Sequence, residues 1–551
     1  MMLNLMISSI MLFMLSWLFL LIGMFMLLMN KMLIFEWLIF SINSMKMNFI
    51  MIISFKLMMF TFLVLLISSM IFFYSVSYMN LNDEFFIIRF NYLMILFLMS
   101  MIFLILSPNM LTLLLGWDGL GLISYCLIIY YHKMLSFNSG MMTVIMNRLG
   151  DSSLLMIISF LSMFGSWNLF FFKMNIIIMM MFFLMVFTKS AQLMFMIWLP
   201  AAMMAPTPVS SLVHSSTLVT AGIYMLINYE NLIELKYKLM ILMISSMTML
   251  ISGIMANFEM DFKKVIALST LSQLGFMMSI FSMGMVDLTF LHLFIHAFFK
   301  SMMFMTVGSM IHYMVETQNF RMYNGVFYLY PIKGLLMMFS LFMLCGFPFL
   351  VGFYSKDLII EYYFLNKFSI FSMMNLFIGT VFTVSYSFRI INTLFKENYM
   401  LNLINYNEDY VMIYCMLMIS LIMLMMSKLV YNFFFIHENV SLLIIYKYFI
   451  FKMMILGVMF SMILIQLIFF KKLFIYIKSF FLMELFYKFM IYKFLNKLIY
   501  YEFYFDKGLV EKFSGKIMFS INNLLKTNYM YNISYLLLVY FYMILLMVIM
   551  N

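Results

Sequence analysis

The chain has 551 residues, 66% of them hydrophobic and 10% charged, with 32 Lys+Arg against 21 Asp+Glu and a formal net charge of +11. So few charges cannot solvate a body of this size, which excludes an ordinary soluble domain and makes this a polytopic membrane protein. Much of the positive excess is spread through the C-terminal third among Phe, Tyr and Leu rather than gathered in a basic module, so the sequence predicts no nucleic-acid partner and points to phospholipid headgroups instead.

Apolar stretches of about 20 residues, enough to cross a hydrocarbon core, recur along the chain and predict roughly 15 spans. Residues 1–84 read as N-terminal transmembrane helices. The opening run precedes the first charge, Lys31, and is too long for a signal-peptide core, so it is expected to be retained. Residues 85–395 read as one helical core with short polar turns. Cys126, Cys345 and Cys415 are scattered through apolar sequence, a pattern that implies neither disulfides nor an iron–sulfur cluster.

Ionisable residues inside these apolar stretches are the functional candidates, because each costs several kcal/mol to insert, roughly 2.5–3.5 at a helix centre. In GWDGLGLISYC, Asp118 sits beside Gly116, Gly119 and Gly121, where its proton occupancy can respond to a moving charge. A permanent ion pair that fixes helix packing is the plain alternative. In NRLGD, Arg148 and Asp151 stand three apart on one helical face, the spacing of a supporting ion pair.

The next stretch, FTKSAQLMFMIWLPAAMMAPTPVSSLVHSSTLVTAG, carries Lys189 and His214 on either side of Pro200, Pro206 and Pro208. A helix broken at membrane depth beside a charge is a transport signature, and lysine and histidine there can pass a proton between them. For His214, a core histidine satisfied by Ser210 or Thr217 is the alternative. Lys263 and Lys264, in EMDFKKVIAL, read as a loop-to-helix junction and nothing more.

In FLHLFIHAFFKSMMF, His292, His296 and Lys300 recur every four residues and share one stripe about 12 Å long. A proton relay, a structural stripe and a zinc site are the options, and zinc lacks a third ligand nearby. A second interrupted segment, LFMLCGFPFLVGFYSKDLIIEYY, sets Gly346, Pro348 and Gly352 before Lys356 and Asp357. Paired broken helices in two halves of a membrane chain predict inverted repeats, with Lys189 and Lys356 as counterparts. Two kinked helices with interfacial lysines are the alternative.

Residues 396–470 read as further bundle helices. Residues 471–530 change to mixed charge on an aromatic background, the pattern of a lateral amphipathic helix segment, and 531–551 read as a terminal transmembrane anchor.

The quoted motifs, in this order, resemble the antiporter-like membrane subunits of respiratory complex I, and the resemblance covers about residues 85–395. The long charged C-terminal extension is similar to that of the distal member of that family. The content of 75 Met and 68 Phe resembles animal mitochondrial coding. The resemblance implies an all-α antiporter-like bundle with inverted repeats and two broken helices, a C-terminal lateral helix and a terminal span, in the mitochondrial inner membrane. It implies that Asp118, Lys189, His214, His292, His296, Lys300, Lys356 and Asp357 form a proton pathway supported by Arg148 and Asp151. It implies no cofactor in this chain, with NADH, FMN, iron–sulfur clusters and ubiquinone in other subunits of the complex. The implied partners are other membrane-arm subunits, especially the chain 4 and chain 2 paralogues, met through the lateral helix. A stand-alone Mrp-type cation/proton antiporter and a bracing subunit with no channel are the alternative readings. Two departures stand out: Asp118 replaces the usual glutamate, and the FKLMMF stretch around Lys56 lacks the acidic residue usual there.

Overall fold

A computed structural model describes residues 2–466 apart from 43–44, 80–83, 172–174, 315–316, 366–368, 397–408 and 436–443; beyond them it describes 492–493, 496–510, 515 and 543. Two units are present, Met1–Lys478 and Ser479–Asn551. Within the described part of the second unit, Phe503–Val510 forms a wide helical turn with exposed Phe503, Tyr504 and Phe505. Most of the expected lateral segment 471–530 and of the anchor 531–551 lies outside the described residues.

The first unit begins with α1 (Met2–Met29), which Asn30 ends in a left-handed conformation at φ 49°. The chain then forms an antiparallel hairpin, β1 (Leu33–Ile42) and β2 (Met45–Ile53). The sequence reading placed only helices in residues 1–84, because the hairpin is as apolar as a span. Its β-branched and aromatic residues (Ile34, Phe35, Trp37, Ile39 and Phe40) are the signal for strand. Phe35, Trp37 and Phe49 stack along it, with centroid separations of 6.4 and 6.1 Å.

Four helices follow: α2 (Phe55–Tyr78), α3 (Glu84–Leu106), α4 (Met110–Ile128) and α5 (Met134–Ser162). The first interrupted helix comprises α6 (Ile176–Lys189) and the short α7 (Trp198–Ala201), separated by turns in which Ala191 takes φ 50°. After Pro206, α8 (Thr207–Val209) widens into a π-helical stretch, Ser210–Thr217, before α9 (Leu218–Asn228). Then come α10 (Leu235–Phe258), α11 (Phe262–Ser282) and α12 (Val286–Tyr313). A short α13 (Val326–Leu329) leads to the second interrupted helix, α14 (Pro331–Cys345) and α15 (Val351–Leu365). Proline at the first turn of α14 suits its missing donor, and Gly346 ends the helix at φ +80°, a conformation that is cheap only without a Cβ. The unit closes with α16 (Ile370–Phe395), α17 (Tyr410–Phe435) and α18 (Ile444–Gln466).

Eleven helices among the described residues are long and apolar enough to cross a membrane, and the interrupted helices add shorter apolar pieces. The polytopic helical class expected from composition is the one observed. Two helices, α11 and α12, are buried along almost their whole length, and α2 is nearly so, whereas α1 exposes most of its apolar surface to the outside. The core therefore surrounds α11 and α12, with α2, α14 and α17 against α12, and α10 and α16 against α11. One face of the bundle carries the hairpin and the start of α12, where Lys56 pairs with Asp287. The FKLMMF stretch, short of the carboxylate expected on its own helix, thus meets one supplied by α12.

Candidate functional site

The first cluster forms where α4, α5 and α6 meet. These helices approach closely because small residues line the contacts. Where α4 meets α3, a Cβ on Gly116 would stand 2.6 Å from the Leu104 backbone, and where α5 meets α6 one on Gly150 would stand only 2.1 Å from Thr188 Oγ1. Gly222 on α9 lets the Val186 carbonyl within 2.9 Å of the same kind of position. Lys189, the last residue of α6, is thereby sealed at 1% exposure. Its Nζ donates to the Trp117 carbonyl at 3.3 Å and lies 5.1 Å from the Trp117 ring centroid. A Cβ on Gly121 would come within 3.3 Å of that nitrogen, so this glycine leaves the ammonium its space.

Next to the lysine, Arg148 stands between two carboxylates, with Nη1 3.5 Å from Asp118 Oδ2 and 3.6 Å from Asp151 Oδ2. The spacing of Arg148 and Asp151 thus gives the pair expected of it, and Asp118 joins from α4. Arg148 rather than Lys189 bridges these acids, while both carboxylates act on Lys189 through space. One oxygen of each, Oδ1, is buried and without a hydrogen-bond partner among the described residues. A buried carboxylate oxygen in that condition is a ready proton or water acceptor.

His214 falls in the π-helical stretch, a widened turn often found at functional positions, but its side chain lies outside the described residues. Thr217 Oγ1 donates to the Leu212 carbonyl at 2.9 Å, five residues back, as the widened turn allows.

The second cluster runs along α12. His292 Nδ1 is 3.0 Å from Ser355 Oγ, and its Nε2 is 3.2 Å from Gln273 Oε1. Lys300 Nζ donates to Ser269 Oγ at 2.5 Å. Between them His296 is fully buried, with both ring nitrogens unpartnered among the described residues. The stripe read from the four-residue spacing is therefore intact, and α15 touches it through Ser355.

One residue further on α15, Lys356 Nζ donates to the Leu344 carbonyl at 2.9 Å and to Thr383 Oγ1 at 3.1 Å. The accepting carbonyl is one of those that the end of α14 leaves unpaired, the use to which broken membrane helices put a cation. Lys356 and Asp357 flank a cavity of about 20 Å³ lined by Cys345, Thr380 and Phe449, room for one water. Lys189 precedes its break and donates to a carbonyl of α4, whereas Lys356 follows its own and donates across it to α14.

Several side chains that contact the candidate residues carry no sequence signal of their own. Lys263, read as a loop junction, is buried and donates to the Ala205 carbonyl at 3.2 Å, at the end of the first interrupted helix. Ser269, Gln273, Ser355 and Thr383 are ordinary polar residues of membrane helices until the fold sets them against charged partners.

Residues 107–383 match the family model described as NADH:quinone oxidoreductase/Mrp antiporter, TM. The chain is 62% identical over 325 residues to NADH-ubiquinone oxidoreductase chain 5 of Apis mellifera ligustica, covering 59% of this chain and 59% of that one. It is 48% identical over 354 residues to the chain 5 protein of Anopheles arabiensis, covering 63% of this chain and 92% of that one. The match thus spans about six-tenths of the Apis relative's length. A chain in the structure of the Mrp complex from Dietzia sp. DQ12-45-1b superposes with a TM-score of 0.73 at 20% identity, over 90% of this chain and 60% of that one, and shares its fold.

Proposed function

The chain belongs to the NADH:quinone oxidoreductase/Mrp antiporter transmembrane family, and from that premise we propose that it is a proton-translocating membrane-arm subunit of mitochondrial NADH:ubiquinone oxidoreductase. The observation that carries the reading is Lys189, a cation at 1% exposure in an interrupted helix, beside a carboxylate pair bridged by Arg148. A cation in such a place changes its proton occupancy when a neighbouring carboxylate moves. A redox-driven rearrangement elsewhere in the complex shifts Asp118 and Asp151 between Arg148 and Lys189. The lysine proton then passes by way of His214 to the His292, His296 and Lys300 stripe, and on to Lys356 and Asp357.

Each positive charge moved against the membrane potential costs about 2.3 kcal/mol per 100 mV, so the energy comes by coupling to other subunits. In this reading NADH, FMN, iron–sulfur clusters and ubiquinone belong to those subunits, and this chain contributes side chains that hold and release protons. Its partners are the chain 4 and chain 2 type subunits, reached through residues 471–530. The composition supports the inner mitochondrial membrane as its location.

Lys189→Met in the assembled complex is expected to lower vesicle proton uptake per NADH oxidised while the amount of assembled complex stays near the parent level. Parallel loss of both quantities shows a packing role for the lysine instead. The fold shared with the Mrp complex chain favours one second reading, a cation/proton antiporter working without NADH. Sodium-dependent exchange by the isolated chain in vesicles is the result that selects it.

A further inference from the structure

The relay described above has no assigned connection to the face of the bundle opposite the hairpin. That face receives the C-terminal ends of α2 and α12 and the start of α8, and three residues of the two long helices, which neither the motifs nor the relay use, stand there as a series. Tyr74 on α2 is fully buried, and its hydroxyl donates to the Met305 carbonyl at 3.2 Å. Gly308 on α12 makes room for it: a Cβ there would stand 2.8 Å from Tyr74 Oη and 2.6 Å from Thr207 Oγ1. The tyrosine hydroxyl and the threonine at the first turn after the Pro206 break therefore flank one point. From Tyr74 the series continues outward. Tyr78 stacks on it at 5.7 Å between ring centroids, and His312, half-buried near the end of α12, lies 5.6 Å from Tyr78. The His312 Nδ1 atom is buried and has no hydrogen-bond partner among the described residues.

We infer that Tyr74, Tyr78 and His312 form a proton-conducting limb joining the start of α8, at Thr207, to the membrane face opposite the hairpin. The inference rests on the reading of the chain as a proton conductor. Hydroxyl and imidazole groups are both donor and acceptor, so each takes a proton on one side and gives up another on the far side, and no group carries net charge after passage. Water joins such hydroxyl and imidazole groups where they stand beyond direct hydrogen-bond reach. Other polar groups face the limb from the helices packed around it. Tyr313 lies 5.6 Å from His312 by ring centroid and accepts a hydrogen bond from the Asp409 backbone at 2.6 Å. The buried Lys333 of α14 holds its Nζ 3.5 Å from the Tyr313 ring centroid. Lys333 thus backs the outer end of the limb through the face of Tyr313.

The test uses the assembled complex reconstituted in vesicles, comparing the parent with Tyr74→Phe, His312→Asn and Lys189→Met for protons moved per NADH oxidised. Tyr74→Phe removes only a hydroxyl, and His312 lies near the surface, so neither change opens the core. Expected are a loss of proton movement per NADH in both limb variants and partial recovery of His312→Asn on adding imidazole to the medium, an effect that a packing role does not produce. Parent-level proton movement in both limb variants, alongside a loss in Lys189→Met, overturns the limb and leaves the function standing. A loss in His312→Asn that imidazole does not restore and that follows the amount of assembled complex also overturns it. Parent-level movement in all three variants overturns the conducting role itself.

Discussion

At the scale of single residues, the first cluster depends on missing side-chain atoms as much as on charged ones. Gly150→Ala would place a methyl group 2.1 Å from Thr188 Oγ1, next to the buried Lys189. Overpacking of this kind costs about 1–3 kcal/mol and displaces the neighbour. The variant is expected to lower the thermal midpoint of the assembled complex and its proton movement per NADH, and Thr188→Ala in the same chain is expected to restore part of both. No recovery in the double variant would place the strain elsewhere. Lys189, the α12 stripe and the Arg148–Asp151 pair were legible in the sequence because a charged residue in a long apolar run has few harmless explanations. The bridging of Asp118 by Arg148 was not, since it depends on how α4 turns against α5.

Among the elements, α11 makes three contacts at the candidate site that its sequence does not announce. It presents Lys263 to the Ala205 carbonyl, Ser269 to Lys300 and Gln273 to His292. A serine or glutamine in a membrane helix usually bonds its own backbone or a neighbour, so their presence in sequence carries no site information. Ser269→Ala leaves the buried Lys300 ammonium without that acceptor, at a cost of about 1–3 kcal/mol. We expect slower proton movement per NADH with assembly retained, and parent behaviour for Ser279→Ala on the same helix, which touches no relay residue. Equal effects from the two variants would make α11 a packing helix only. The hairpin is the other element the sequence hid. Its residues satisfy hydropathy as a span would, and hydropathy cannot tell a strand pair from a short buried helix.

For the whole molecule, the helical class, the interrupted helices and the order of the bundle were legible, because bilayer thickness and backbone hydrogen bonding leave few other solutions for such a composition. Which helices occupy the centre was not, since α11 and α12 are no more apolar than the lipid-facing α1. Removing residues 471–530, read as a lateral brace, separates two roles at this scale. Loss of assembly, seen on native gels stained for NADH oxidation, is expected if the segment clamps neighbouring subunits. Normal assembly with reduced proton movement would give the segment a part in conduction.

The three hydrogen bonds that α11 holds belong to one helix, and they fall on different parts of the proposed pathway: the end of the first interrupted helix, the inner end of the α12 stripe and its outer end. Any screw rotation of that helix changes all three contacts in the same instant. Synchrony between the two halves of the conduit would then be a matter of gearing, as in a camshaft whose lobes cannot fall out of step.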